Sequence, residues 1–232
     1  MRYDIILFDA DGTLMDFRRS EAEAIRQVMT WYGIEPTEEN IRTYSEGNHR
    51  LWKMLEVGQI EKDVLVYRRF ELLFEALGMT GDAKKMSTDY IDALSNKGYL
   101  LDGAEELCRS LLGKVKMYIV TNGVEKTQRG RYAICGIDDC FEEIFISGAI
   151  GAEKPSPVFF EYVAEHIDGF EKSRAIIVGD SLTSDIKGGI NFGIDTCWYN
   201  PTGEKAPEGM DITYIATDFD DVKRIIMGED IQ

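Results

Sequence analysis

The run Ile5-Ile6-Leu7-Phe8 constrains the fold most, because four consecutive large apolar residues suit a strand covered on both faces, as in a parallel sheet. It ends in Asp9-Ala10-Asp11-Gly12-Thr13, which places two carboxylates two residues apart. Ligands of open α/β sheets gather beyond the carboxyl ends of strands, so the pair sits where chemistry is expected. Two such carboxylates need a counterion. The competing reading of this motif alone is a plain turn, since Asp-Gly between apolar runs is a strong hairpin signal.

Further strand-like runs lie at 116–121, 144–147, 175–180 and 196–199, with a short edge strand at 214–216. Helix-period segments at 101–112, 124–134, 157–167, 183–192 and 218–227 separate them. Strand alternating with helix predicts a doubly wound α/β fold with a parallel sheet. One connection is far too long for that pattern, the roughly 85 residues between the first strand and the helix before the second. Its periodicity predicts helices at 20–31, 37–55, 62–77 and 83–94, the first opened by a capping box, Ser20-x-x-Glu23. The expected organisation is an α/β core of 1–14 and 100–232 carrying an inserted α-helical cap domain, 15–99, of a kind suited to opening and closing over a site.

A chain of 232 residues can bury a full core, and 44% hydrophobic with 29% charged residues is ordinary for a globular protein. The net charge of −16 argues against a nucleic acid polymer as partner, because such affinity comes from Lys and Arg neutralising phosphates. It also means that a small anion would need local positive groups, and a divalent cation beside clustered carboxylates would supply them. Cys108, Cys135, Cys140 and Cys197 have no C-x-x-C spacing and read as reduced packing residues. No apolar run approaches the ~20 residues that span a bilayer, and no signal pattern opens the chain, so no membrane partner and a cytoplasmic location are expected. The oligomeric state is left open.

Three later strand ends add to the first. Thr121-Asn122-Gly123 closes one strand in a hydroxyl and an amide before a helix whose free N–H groups suit an anion; read alone, it could be an ordinary helix cap. Lys154, in Gly151-Ala-Glu-Lys-Pro155, is a point charge beyond the third strand run, and read alone it could be a solvated surface lysine. Gly179-Asp180-Ser-Leu-Thr-Ser-Asp185 ends a fourth strand in a carboxylate with a second one five residues on. Carboxylate oxygens are the usual ligands of Mg²⁺.

Asp9, Asp11, Thr121, Lys154, Asp180 and Asp185, in this order and at these strand ends, resemble the four signature motifs of the haloacid dehalogenase-like phosphohydrolase superfamily. The D-x-D-G-T form of the first motif is that of its phosphatase branch, and the helical insertion is similar to its helical cap. The resemblance implies that strands one, two and four lie side by side, so that Asp9, Thr121 and Asp180 converge. It implies Asp9 as nucleophile, Asp11 as proton donor and then acceptor, and Mg²⁺ held by Asp9, Asp180 and the main-chain carbonyl of Asp11. Gly12, Thr121, Asn122 and Lys154 would bind the phosphoryl oxygens, and Asp185 would orient water or Asp180.

The core reads only the phosphate, so substrate choice falls to the cap and hinge. Asn48-His49-Arg50-Leu51-Trp52 gathers polar, basic and aromatic groups on one cap helix, and Arg18 lies near the hinge. Trp52 could stack on a nucleobase while Asn48, His49 or Arg18 hydrogen-bond its edge or sugar, or Trp52 could simply pack within the cap. The Leu51-Trp52 pair, with Gly188-Gly-Ile-Asn191 running to Asp195-Thr-Cys-Trp-Tyr-Asn200, resembles the bacterial pyrimidine 5′-nucleotidases of the superfamily. The expected function is thus a Mg²⁺-dependent phosphatase of a small phosphomonoester, foremost a nucleoside 5′-monophosphate. A phosphoglycolate or sugar-phosphate phosphatase, or a phosphomutase, would use the same core.

Overall fold

The computed structural model of the protein describes residues 2–229. Strand β1 (Ile5–Phe8) is followed by four helices, α1 (Phe17–Trp31), α2 (Glu38–Glu56), α3 (Lys62–Leu77) and α4 (Ala83–Leu94). The chain then alternates through α5 (Ala104–Leu111), β2 (Lys116–Thr121), α6 (Glu125–Tyr132), β3 (Glu143–Ile146), α7 (Ser147–Ile150) and α8 (Pro157–Glu165). It finishes with β4 (Ala175–Gly179), α9 (Lys187–Phe192), β5 (Asp195–Tyr199), β6 (Tyr214–Ala216) and α10 (Phe219–Met227). The six strands pair in parallel in the order β3-β2-β1-β4-β5-β6. This is the doubly wound sheet with a helical insertion after β1 that the sequence predicts, and it does bring β2, β1 and β4 side by side.

The apolar runs are explained by burial on both sheet faces. Ile5, Leu7, Tyr118, Val120 and Ile177 pack with Phe159, Phe160 and Val163 of α8 and Phe192 of α9. The alternate residues Ile6, Phe8, Met117, Ile119, Ile176 and Val178 are buried as well. Each such side chain contributes about 1.5–3 kcal/mol on burial, so polar residues have no place in the middle of these strands. They collect at the strand ends instead.

Two compact units divide the chain. The α/β unit takes the chain up to Asp16, Tyr99–Glu125 and the part from Cys135 onward. Within it the segments flanking the insertion run side by side: the Asp16 N–H donates to the Tyr99 carbonyl at 3.0 Å and the Leu101 N–H to the Leu14 carbonyl at 2.9 Å. The four cysteines are buried thiols, in keeping with packing roles. Among the described residues no helix is long and apolar enough to cross a membrane.

The helical unit holds Phe17–Gly98 and Lys126–Ile134. Its core joins Ala24, Ile25, Val28 and Met29 of α1 to Phe70 and Leu73 of α3 and Met86 and Tyr90 of α4. The segment 126–134, assigned to the core by its place between two strands, packs instead with these helices. Arg131, wholly buried, donates from Nε to the Lys97 carbonyl at 3.2 Å, and a Cβ on Gly130 would lie 2.6 Å from the Ser95 carbonyl oxygen. The capping box is also corrected. Helix α1 starts three residues earlier, at Phe17, and the Ser20 hydroxyl donates to the Lys97 carbonyl at 2.7 Å, a tertiary bond in place of a cap.

Candidate active site

Register places the candidate residues. Phe8 lies opposite Ile119 of β2 and Val178 of β4, so the chain leaves all three strands at nearly one level. The Asp9 N–H extends the ladder by donating to the Val178 carbonyl at 2.9 Å. Because β2 lies on one side of β1 and β4 on the other, this is the topological switch point, where open α/β sheets form their ligand crevice.

Lys154 is the centre of the site's electrostatics. Its ammonium, 1% exposed, donates to Asp9 Oδ1 at 2.6 Å, Asp185 Oδ1 at 2.6 Å and the Val120 carbonyl at 2.7 Å. Three acceptors satisfy its three protons. Burial lowers its pKa, but the two carboxylates outweigh burial and hold it above the ordinary lysine value, so it stays charged. The solvated-lysine reading is thereby excluded. Asn122 holds this lysine in place: its Nδ2 donates to the Lys154 carbonyl and its Oδ1 accepts from the Lys154 N–H, both at 2.8 Å. The side-chain amide of Asn122 is thus engaged with the Lys154 backbone at both of its ends. The backbone donor–acceptor pair matches an amide's geometry, which a spacing pattern does not reveal.

Asp9 is buried, and desolvation pushes its carboxyl well above the usual range, with Lys154 opposing and Asp185 and Asp180 adding to the rise. Asp180 reaches solvent at its edge yet is crowded by protein behind; burial and the charge of Asp185 push it up to about 7. Oxygens of Asp9, Asp180 and Asp185 lie within 4.8 Å of one another. Three carboxylates and one ammonium leave net negative charge in a confined space. A cluster of carboxylate oxygens is the donor chemistry that suits a hard cation such as Mg²⁺. Of the three, Asp185 has both oxygens engaged, Oδ1 by Lys154 and Oδ2 by the Ser181 N–H at 3.0 Å. Asp9 Oδ2 and the Asp180 carboxylate are the better placed donors.

The turn after β1 is real as well as chemical. Gly12 has φ +86°, and a Cβ there would sit 2.5 Å from Asp180 Oδ2, so only glycine allows the loop to lie against that carboxylate. Asp11 is half-buried in the same loop, where it forms a bridge with Met15. Its side chain lies outside the carboxylate trio; the contribution to metal implied for it is the main-chain carbonyl. Thr121, 2% exposed at the end of β2, accepts from the Gly123 N–H at 3.1 Å.

Thr13 is a site residue without an assigned role in the sequence. Its buried hydroxyl donates to Asp9 Oδ2 at 3.4 Å and accepts from the Asp180 N–H at 3.1 Å, linking the two strand ends. Its only signal was membership of the D-x-D-G-T run. Asp185 sits on a π-helical turn, Leu182–Ile186, which aims it back at Lys154. The candidate substrate residues of the helical unit fare differently. Asn48, 2% exposed, donates to Glu21 at 2.7 Å and accepts from Arg69 at 3.3 Å, so its amide is an internal packing group and not a free recognition edge. Trp52 is half-buried against the Leu51–Leu55–Leu65 cluster, whereas Arg18 and His49 are exposed.

A family model, that of the haloacid dehalogenase-like hydrolases, matches residues 3–193, which include every one of these groups. The chain belongs to the haloacid dehalogenase-like hydrolases. At the level its relatives share, this haloacid dehalogenase-like hydrolase is a phosphatase. It is 39% identical over 202 residues to the pyrimidine 5′-nucleotidase PynA of Streptococcus pneumoniae, covering 87% of this chain and 85% of that one. It is 32% identical over 226 residues to the pyrimidine 5′-nucleotidase YjjG of Escherichia coli, covering 97% and 99%. Among solved structures, the HAD-hydrolase YfnB of Bacillus subtilis bound to magnesium superposes with a TM-score of 0.92 at 36% identity, covering 97% of this chain and 99% of that one.

Proposed function

We propose that the protein is a Mg²⁺-dependent 5′-nucleotidase that hydrolyses pyrimidine nucleoside 5′-monophosphates through an aspartyl-phosphate on Asp9. The observation that carries the phosphoryl-transfer chemistry is the buried ammonium of Lys154 clamped to Asp9 beside the exposed carboxylate of Asp180. The nucleotide assignment is supported by two relatives of that named activity, each matched over 85% or more of both chains, the helical insertion included.

A carboxylate is a weak nucleophile toward an anionic phosphate ester and must be held ionised and aimed. Lys154 aims it through the bond to Asp9 Oδ1, and its charge opposes the rise that burial imposes on the carboxyl. Asp9 and Asp180, with the Asp11 main-chain carbonyl, would hold Mg²⁺, which supplies charge neutralisation for the transferred phosphoryl group when bound. Asp9 attacks phosphorus, the ester P–O bond breaks, and Asp11 in its acid form gives its proton to the leaving alkoxide. Asp11 then takes a proton from water, whose oxygen attacks phosphorus and releases phosphate and free Asp9. The phosphoryl group is loose in transit, so most of the rate comes from positioning, here by Thr121, Lys154 and the amides around Gly12. The insertion 15–99 acts as the cap that selects the leaving group, with the exposed Arg18 and His49 as its candidate polar contacts and Trp52 as an aromatic one.

The test is phosphate release with Mg²⁺ across pyrimidine and purine 5′-monophosphates, phosphoglycolate and hexose phosphates. Pyrimidine monophosphates are expected to give the highest kcat/KM. A clear preference for phosphoglycolate or a sugar phosphate, or isomerised sugar phosphate without free phosphate, contradicts the assignment.

A further inference from the structure

Asp180 is bracketed by hydrogen bonds on both of its flanking peptides. On the side toward β4, its N–H donates to the Thr13 hydroxyl at 3.1 Å. On the other, the peptide joining Asp180 to Ser181 is fixed at both ends: the Ser181 N–H donates to Asp185 Oδ2 at 3.0 Å, and the Asp180 carbonyl accepts from the indole Nε1–H of Trp198 at 3.0 Å. Trp198 comes from β5, where it stands opposite Gly179 in the ladder and is 3% exposed. A buried indole N–H finds a partner, and here the partner is the main chain of a cluster carboxylate.

The geometry matters because Asp180 is the exposed member of the carboxylate trio. Asp9 is held by Lys154 and Asp185 by Lys154 and Ser181, through their side chains. Asp180 is held through its backbone. The orientation of its Cα–Cβ bond, and so the spot its oxygens reach, is set by the two peptides that Thr13, Asp185 and Trp198 pin. Trp198 is the one of these anchors that stands outside the four motif segments and carries no charge.

We propose that Trp198 is a positioning residue for the divalent cation, presetting Asp180 through its main-chain carbonyl and, by the same contact, reporting occupancy of the site in its fluorescence. The proposal rests on the Mg²⁺ reading above. It differs from a packing role in what it predicts. Packing explains burial of the ring; positioning requires the N–H. Outer-shell partners of metal ligands are typically worth 10–100-fold in affinity, and for a bond acting through backbone the low end, roughly tenfold, is expected.

Mg²⁺ affinity is measured by isothermal titration calorimetry on the full chain and on its Trp198→Phe and Asp180→Asn variants, at a temperature where each is folded by circular dichroism. Trp198→Phe keeps an aromatic ring in β5 and removes the N–H. A Kd roughly tenfold weaker than that of the parent, beside near-complete loss in Asp180→Asn, supports the proposal. A Trp198→Phe Kd within twofold of the parent, with Asp180→Asn still deficient, overturns it while leaving the metal reading intact. Absence of Mg²⁺ binding by the parent chain overturns both. Should Trp198→Phe fail to fold, a Trp31→Phe/Trp52→Phe chain, in which Trp198 is the only tryptophan, decides the matter by emission. A change that saturates with the calorimetric Kd supports the proposal, and emission unchanged at saturating Mg²⁺ overturns it.

Discussion

Replacing Lys154 by Met removes the one ammonium that Asp9 and Asp185 share, while keeping most of the side-chain volume. In the parent chain Lys154 makes two carboxylate contacts of 2.6 Å with its side chain 1% exposed. Taking one partner from such a buried cluster leaves charge uncompensated and typically costs about 3–5 kcal/mol. For a chain of this size each kcal/mol shifts the melting temperature by about 2–4 °C, so a drop of roughly 6–20 °C is expected near pH 7.5 without divalent cation. The sign with pH follows from linkage. Without Lys154 the folded carboxylates bind protons more tightly than the unfolded chain does, so the variant gains relative to the parent as pH falls toward the unfolded carboxylate range. The deficit is therefore smaller at pH 5.5 than at pH 7.5. Calorimetric melts of both proteins at the two pH values measure it. A drop below 2 °C, or a deficit that grows on acidification, would refute Lys154 as the counterion of this site.

Asp11→Asn is expected to retain Mg²⁺ binding while losing about 10²–10⁴-fold in kcat, the usual worth of a general acid–base, as read by steady-state kinetics and calorimetry together. Gly12→Ala puts a Cβ 2.5 Å from Asp180 Oδ2 at a φ of +86°, so weakened Mg²⁺ affinity and a stability loss of about 1–3 kcal/mol are expected from titration and denaturant melts. Glu21, buried in the helical unit, has its carboxyl raised by desolvation, with Ser45 and Asn48 opposing. The folded protein thus holds that proton more tightly than the unfolded chain, and stability falls as pH rises from about 4.3 through the raised value. Glu21→Gln lacks this fall, so its melting temperature relative to the parent should be higher at pH 8 than at pH 5; a pH-independent difference refutes the account of Glu21.

The legible parts of the fold were those written in local pattern. Apolar runs such as Ile5–Phe8 and Ala175–Gly179 announce strands buried on both faces, and the 15–99 interruption announces an insertion because no ordinary connection is that long. Tertiary substitutions for local signals were not legible. Ser20 has the spacing of a cap but bonds to Lys97 across the helical unit, and Arg131 ties a segment between two core strands to the helices. In the site, residue types at strand ends marked Asp9, Lys154 and Asp180 because charges after apolar runs are conspicuous. The bonds of Thr13 to Asp180, of Trp198 to Asp180 and of the Asn122 side chain to Lys154 stayed hidden, since each joins atoms eighteen or more residues apart. Asn48 misled for a related reason: a polar residue on an amphipathic helix looks free until its buried partners, Glu21 and Arg69, are in view.

The central claim is that Asp9 becomes covalently phosphorylated during turnover. Quenching the protein in the steady state with a pyrimidine nucleoside monophosphate and Mg²⁺, reducing with borohydride, and sequencing the peptides by mass spectrometry tests it directly, because an acyl phosphate is reduced to an alcohol while a free carboxylate is not. Homoserine at position 9 in the parent chain, enriched in Asp11→Asn if loss of the base slows the second step, is the predicted result. Turnover with Asp9 unreduced and another residue modified, or turnover that survives Asp9→Asn, would contradict it.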